Sequence, residues 1–152
     1  MHAFLAVDRP EDGAVRRHAR ASRIVERAGF GAVLDPAALV GTADQLVAWV
    51  DQRWPGARWN REVPITALIE TAHGRRRIEG VIDLLLTVPA GVVIVDHKTY
   101  PAPSVRAVAD RAAAFLPQLA AYAEALEALG HHVVGACLHF PIGGIWADLR
   151  PA

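Results

Sequence analysis

The sequence predicts a mixed α/β fold: a small mixed sheet, a three-strand meander plus one or two further strands, flanked by helices. Three observations predict it. Up to about residue 56 the apolar positions recur at helical spacing, and beyond Gly56 they shift to an extended, β-rich pattern. An alanine-rich helical stretch then separates the meander from the last strands, so helices and strands share one layered core. A length of 152 residues suits one domain of ordinary size, with a helical part over about 1–56 and an αβ core over about 57–152.

Met1 to Val7 reads as a short apolar helix that stops before Asp8-Arg9-Pro10. Asp12 is placed to cap a helix from about Gly13 to Arg27, ended by Gly29. Asp35-Pro36 opens another stretch, with Thr42 or Asp44 as the cap of a helix that ends near Trp54-Pro55-Gly56. Strands follow over Trp59 to Ile69 and Arg77 to Thr87, joined by a turn around Thr71 to Gly74. Val92 to Thr99 is almost continuously apolar, which marks a central strand covered on both faces. Pro101 and Pro103 mark a loop, and Val105 to Leu129 a helix divided by Pro117. After Gly130 come a strand from His132 to Phe140 and an edge strand from Ile145 to Leu149.

Composition narrows the function classes. With 53% hydrophobic and 21% charged residues the chain has the means to fold. Zero net charge argues against a free-standing nucleic-acid binder, which carries a basic excess, and leaves a local basic patch open. One cysteine, Cys137, excludes an internal disulfide and a cysteine-based zinc site, and fits a reducing, cytoplasmic setting. No apolar run reaches the roughly 18–20 residues of a membrane span, and no signal peptide is visible.

One lysine stands against fifteen arginines, and it falls in VVIVDHKTY. Where a bare positive charge suffices this chain uses arginine, so Lys98 is the first place to look for chemistry; a compact ammonium can do what a fixed guanidinium cannot. In an antiparallel hairpin whose loop is centred between Pro89 and Ala90, Asp83 lies directly across from Asp96. A four-residue turn from Val88 to Gly91 achieves this and keeps Pro89 out of the ladder. Asp96 and Lys98 are two apart and share a face. Two facing carboxylates repel, and a divalent cation resolves that cost; hard oxygen ligands suit Mg²⁺ or Mn²⁺ better than Zn²⁺. The bland reading is an Asp96–Lys98 ion pair at a strand end, with Asp83 as a hairpin residue.

The wider pattern carries a resemblance. GVIDLLL, a turn, VVIVDHKTY, and then a helix with Gln118-Leu119 and Tyr122 resemble the RecB/AddA branch of the PD-(D/E)XK nucleases, where G-x-I-D, D-x-K-T and Q-L-x-x-Y follow in this order. HAFLAVD resembles that family's histidine-bearing helix, and REVPI, with Glu62, the strand before G-x-I-D, so the resemblance covers nearly the whole chain. It implies a PD-(D/E)XK restriction-endonuclease-like fold and a Mg²⁺-dependent DNA nuclease, with Mn²⁺ as substitute. It implies His2, Asp83 and Asp96 as metal ligands together with the His97 backbone carbonyl, and Lys98 as the catalytic lysine. Gln118 and Tyr122 would support the site and contact the DNA backbone. Expected partners are single-stranded DNA ends and a helicase, in double-strand break repair. Only Met1 precedes His2, and no G-x-x-x-x-G-K-[ST] loop is present, so the chain resembles the nuclease domain of a UvrD-type helicase–nuclease without its motor. A remnant that keeps the fold and serves as an interaction module is the alternative.

Other residues read more plainly. His18 competes with His2 for the motif, but its arginine neighbours suit a solvated face. Glu62 could be a fourth acidic ligand, though a strand-edge charge is more usual. Arg16, Arg17, Arg20, Arg23 and Arg27, with Arg75 to Arg77, could bind phosphates or simply be solvated. The His97 side chain points away from Asp96 and packs. His73, His131, His132 and His139 have no partner spacing.

Overall fold

The computed structural model describes residues 1–72, 74–100 and 105–149. The predicted loop at Pro101 and Pro103 lies outside them, as does His73. The chain divides into two compact units, Met1–Pro55 and Gly56–Ala152, with the boundary where the periodicity changes.

The N-terminal unit holds α1 (His2–Val7), a 3-10 turn (Pro10–Asp12), α2 (Gly13–Arg27) and α3 (Pro36–Arg53). Two capping expectations change. Asp12 sits at the start of α2, yet its carboxylate takes the Arg20 guanidinium at 2.5 Å and makes no cap bond. The third helix begins at Pro36, not at Thr42 or Asp44, because Asp35 already caps it by accepting from Ala37 N at 2.9 Å. Thr42 is then mid-helix, its hydroxyl donating back to the Ala38 carbonyl. Arg17 is no surface cation. It is buried, donates to both Asp8 oxygens at 2.9 and 2.8 Å, and meets Asp44 at 2.6 Å. These bonds, Asp8 first, hold its pKa above the ordinary arginine value.

The C-terminal unit is a five-stranded sheet in the order β1 (Arg58–Thr71), β2 (Gly74–Val88), β3 (Gly91–His97), β4 (Val133–Phe140) and β5 (Ile145–Leu149). Neighbours run antiparallel except β3 and β4, which are parallel. The connection between those two carries α4 (Val105–Ala112) and α5 (Leu116–Ala128), the two-part helix that Pro117 predicts. Leu119, Tyr122, Ala125 and Leu126 form the buried stripe of α5, at spacings of three and four. They pack with Ile65, Ile78, Ile82, Ile94 and Leu138 of the sheet. Val93 and Val95, on the other face of β3, are also fully buried, as its unbroken apolar run requires.

The β2–β3 turn places Pro89 and Ala90 between the paired Val88 and Gly91. A side chain at Gly91 (φ 150°) would put its Cβ 2.1 Å from the His132 carbonyl oxygen, so the turn closes only on glycine. Among the described residues, no helix is long and apolar enough to cross a membrane.

Candidate active site

The hairpin register brings the two aspartates together. Leu84 pairs with Val95 and Leu85 with Ile94, and one further step along this register sets Asp83 across from Asp96. The paired backbone stops one residue short, because the Asp83 carboxylate accepts the His97 backbone N–H at 2.7 Å. A charged side chain thus replaces a ladder carbonyl, a stronger acceptor for the same donor.

Asp96 is 2% exposed, with Oδ2 fully enclosed and no donor reaching that atom in hydrogen-bonding geometry. The Lys98 ammonium lies 2.6 Å from it. The ammonium thus offsets the cost of burying this anionic oxygen.

Lys98 lies just past the end of β3, but its backbone is pinned: its N–H donates to the His139 carbonyl of β4 at 2.8 Å. Its ammonium donates to Gln118 Oε1 at 3.1 Å and sits 4.3 Å from the centre of the Phe115 ring. Gln118 Nε2 in turn donates to Tyr122 Oη at 3.2 Å. Gln118 and Tyr122, one turn apart on α5, therefore form a chain that ends at Lys98. Tyr122 reaches its place because β2 has a glycine beneath it; a Cβ at Gly80 would lie 2.5 Å from Oη.

The His97 ring turns away from Asp96 as alternation predicts, and it is buried. It is not mere packing. His97 Nδ1 meets His139 Nδ1 at 3.0 Å, and His139 stacks on Trp146 with 3.8 Å between ring centres. His139 is therefore a buried partner rather than an unremarkable sheet residue; burial pushes its pKa down to about 3. One ring nitrogen must donate and the other accept.

Glu62 is the residue that strand-edge reasoning undervalued. β1 and β2 pair on a constant register from Arg58↔Thr87 to Thr71↔Gly74, and Glu62 is the member opposite Asp83. It has φ 51°, the one positive value among the described non-glycine residues, and that pair is missing from the ladder. Side-chain alternation slips here: Ile82 and Leu85, three apart, both join the core under α5. Carboxylate oxygens of Glu62 and Asp83 lie within 4.8 Å of each other. The predicted turn at Thr71 to Gly74 already implied this pairing by the index-sum rule that relates Asp83 to Asp96.

His2 opens α1 in the N-terminal unit and is half-buried; the other candidates all belong to the C-terminal unit. His18 is exposed on α2.

Acidic side chains at one end of the sheet, with a lysine held by Asp96 and Gln118, are the hard donors and the positioned ammonium that a divalent-cation site would use. The neighbouring carboxylates of Glu62 and Asp83 are hard oxygen donors of the kind that fits a divalent ion, while the Asp96 carboxylate faces the Lys98 ammonium. The chain belongs to the PD-(D/E)XK nuclease superfamily, whose family model matches residues 1–149. Among solved structures it is similar to the crystal structure of the protein SSO0001, at 15% identity and a TM-score of 0.41. That match covers 88% of this chain and 60% of that one, so the chain spans less than two thirds of its relative's length. No curated protein sequence matches.

Proposed function

We propose that this chain is a Mg²⁺-dependent deoxyribonuclease domain of the RecB/AddA type, hydrolysing phosphodiester bonds at single-stranded DNA ends during double-strand break repair. In this reading a helicase supplies the strand, and Mn²⁺ substitutes for Mg²⁺. The observation that carries it is the Asp96–Lys98–Gln118 arrangement beside Asp83, at separations of 2.6 and 3.1 Å.

Asp83 and Asp96 would hold the metal, with Glu62 beside them; the roles of His2 and of the His97 carbonyl rest on the family resemblance alone. A divalent ion bound there would lower the pKa of a water and neutralise phosphate charge. The protein's own part is positioning. Asp96 and Gln118 hold Lys98 Nζ, leaving the ammonium to donate to a phosphate oxygen as charge builds on it. The His97 N–H fixes one Asp83 oxygen and thereby orients the other. Gln118 and Tyr122 keep the lysine from swinging away while the P–O bond to the leaving oxygen breaks.

The test is degradation of single-stranded DNA by the purified chain with Mg²⁺ or Mn²⁺. Lys98→Ala should lower the rate about 10²–10³-fold, the usual loss for one transition-state donor, and Asp96→Ala should abolish it. An intact chain that neither cleaves DNA nor binds Mn²⁺ at millimolar concentration would be a non-catalytic member of the superfamily, and the proposal would be wrong.

A further inference from the structure

The β1–β2 hairpin outruns the rest of the sheet. β1 pairs with β2 along 58–71 and 74–87, while β3 pairs with β2 only over Leu84–Val88. Between the unaccompanied stretch of β2 and α5 lies a groove of about 330 Å³, lined by Arg76, Ile78, Gln118, Ala121 and Tyr122 among others. One end is Gln118, which holds the Lys98 ammonium. At the other end Arg76 reaches across to Glu124 of α5. Alternation turns Arg75 to the opposite side of the hairpin, where it pairs with Glu70 at 2.7 Å. Arg77 and Glu79, which border the groove, pair with each other at 2.7 Å.

The groove thus presents an amide, a phenol and a guanidinium in a row, over a floor of Ile78 and Ala121. That donor set suits a nucleic-acid backbone, whose phosphates and sugars take contacts from such groups whatever the sequence.

We propose that this groove seats the single strand adjoining the scissile phosphate, with Arg76 as a phosphate anchor. Glu124 competes with the phosphate for the same guanidinium and so sets how tightly the strand is held. The proposal rests on the nuclease reading and adds a path and a length to it. Seven residue steps run from Arg76 to Asp83, roughly 23 Å at about 3.3 Å per residue. The anchor therefore meets a phosphate several nucleotides from the cut.

The experiment is fluorescence anisotropy of labelled oligo-dT, twelve and three nucleotides long, with the full chain in Ca²⁺ so that the strand stays intact. Arg76→Ala should weaken the twelve-mer about tenfold, leave the three-mer unmoved, and lower the log Kd against log salt slope by about 0.7, the single-strand value for one phosphate. Glu124→Gln should tighten the twelve-mer several-fold, and Arg75→Ala, of equal charge but on the other side, should change neither oligomer. Arg76 and Glu124 are about half exposed, so loss of fold is not expected, and circular dichroism checks it. Equal losses for Arg76→Ala and Arg75→Ala, or no loss for either, would overturn the anchor, and an unchanged Glu124→Gln would overturn the competition. If the wild-type chain cleaves DNA and Arg76→Ala binds normally, only the groove fails; if the wild type neither binds nor cleaves, the nuclease reading fails with it.

Discussion

Gly80→Ala tests the chain of contacts that steadies Lys98, without touching a charged group. The new Cβ would lie 2.5 Å from Tyr122 Oη, 2.8 Å from Cε1 and 3.0 Å from Cζ. Reaching an ordinary contact of 3.4 Å requires the hydroxyl to retreat by about 0.9 Å (3.4 less 2.5). Tyr122 is on the buried stripe of α5 and borders the groove beside β2, so the ring has to shift along that groove. A retreat of that size away from Gln118 stretches the 3.2 Å Gln118–Tyr122 bond beyond hydrogen-bonding range and frees the amide that accepts from Lys98. Overpacking of this kind costs about 1–3 kcal/mol of stability. A catalytic group displaced by about 1 Å costs on the order of 10²-fold in rate. The assay is Mg²⁺-dependent cleavage of single-stranded DNA at saturating substrate, beside urea unfolding. The expected result is a fall in kcat far larger than the stability change explains at a temperature where the variant stays folded. Tyr122→Phe, which removes the same hydrogen bond without the overpacking, should lower kcat by a similar factor at a smaller cost in stability. Wild-type turnover and stability in Gly80→Ala would refute the reasoning.

Three further outcomes follow from other contacts. Glu62→Gly should relieve the left-handed backbone at φ 51° and stabilise the fold by about 1 kcal/mol, while Mn²⁺ affinity measured by calorimetry falls; a variant that gains stability with unaltered Mn²⁺ affinity would remove Glu62 from the metal centre. Asp8→Asn leaves Arg17 buried with Asp44 as its remaining anionic partner here and should cost about 3 kcal/mol in urea unfolding; a cost under about 1 kcal/mol would contradict that role. His139 is held neutral by burial, its pKa at about 3 against 6.5 in the unfolded chain. Its contribution is whole above pH 6.5 and shrinks as pH falls towards 3, by about 2 kcal/mol at pH 5. His139→Phe should therefore lose less stability between pH 7 and pH 5 than the wild type does; equal losses would argue against it.

The sequence made the site legible where one arithmetic rule applied. Hairpin partners have a constant index sum, so Asp83 and Asp96 could be set together before any coordinates, and Lys98 followed from a two-residue spacing. The same rule reaches Glu62 from the turn at Thr71. A lone Glu in a strand carries no sign of left-handed backbone, however, so the slip in alternation stayed hidden. Capping failed for a related reason. Asp12, Thr42 and Asp44 each have the right chemistry for a helix start, but Arg20 and Arg17 take the two carboxylates, and the Thr42 hydroxyl donates back to the Ala38 carbonyl from inside the helix. His139 could not be matched with His97 because parallel register between β3 and β4 depends on the path of the connection, which no turn spacing encodes.

The parallel ladder between β3 and β4 has a consequence for how this domain would lose activity. Asp96 pairs there with Leu138, and the Lys98 N–H is bound to His139, so the backbones of both proposed catalytic residues are tied to β4, which is buried from Ala136 to Phe140. Amides in such a strand exchange with solvent only through the largest openings of the structure. The Asp96 backbone should therefore open only with the fold, and the Lys98 N–H bond to His139 ties the lysine to the same strand. Under rising denaturant their geometry should vanish together with the whole fold, in one transition, with no folded but inactive state ahead of it.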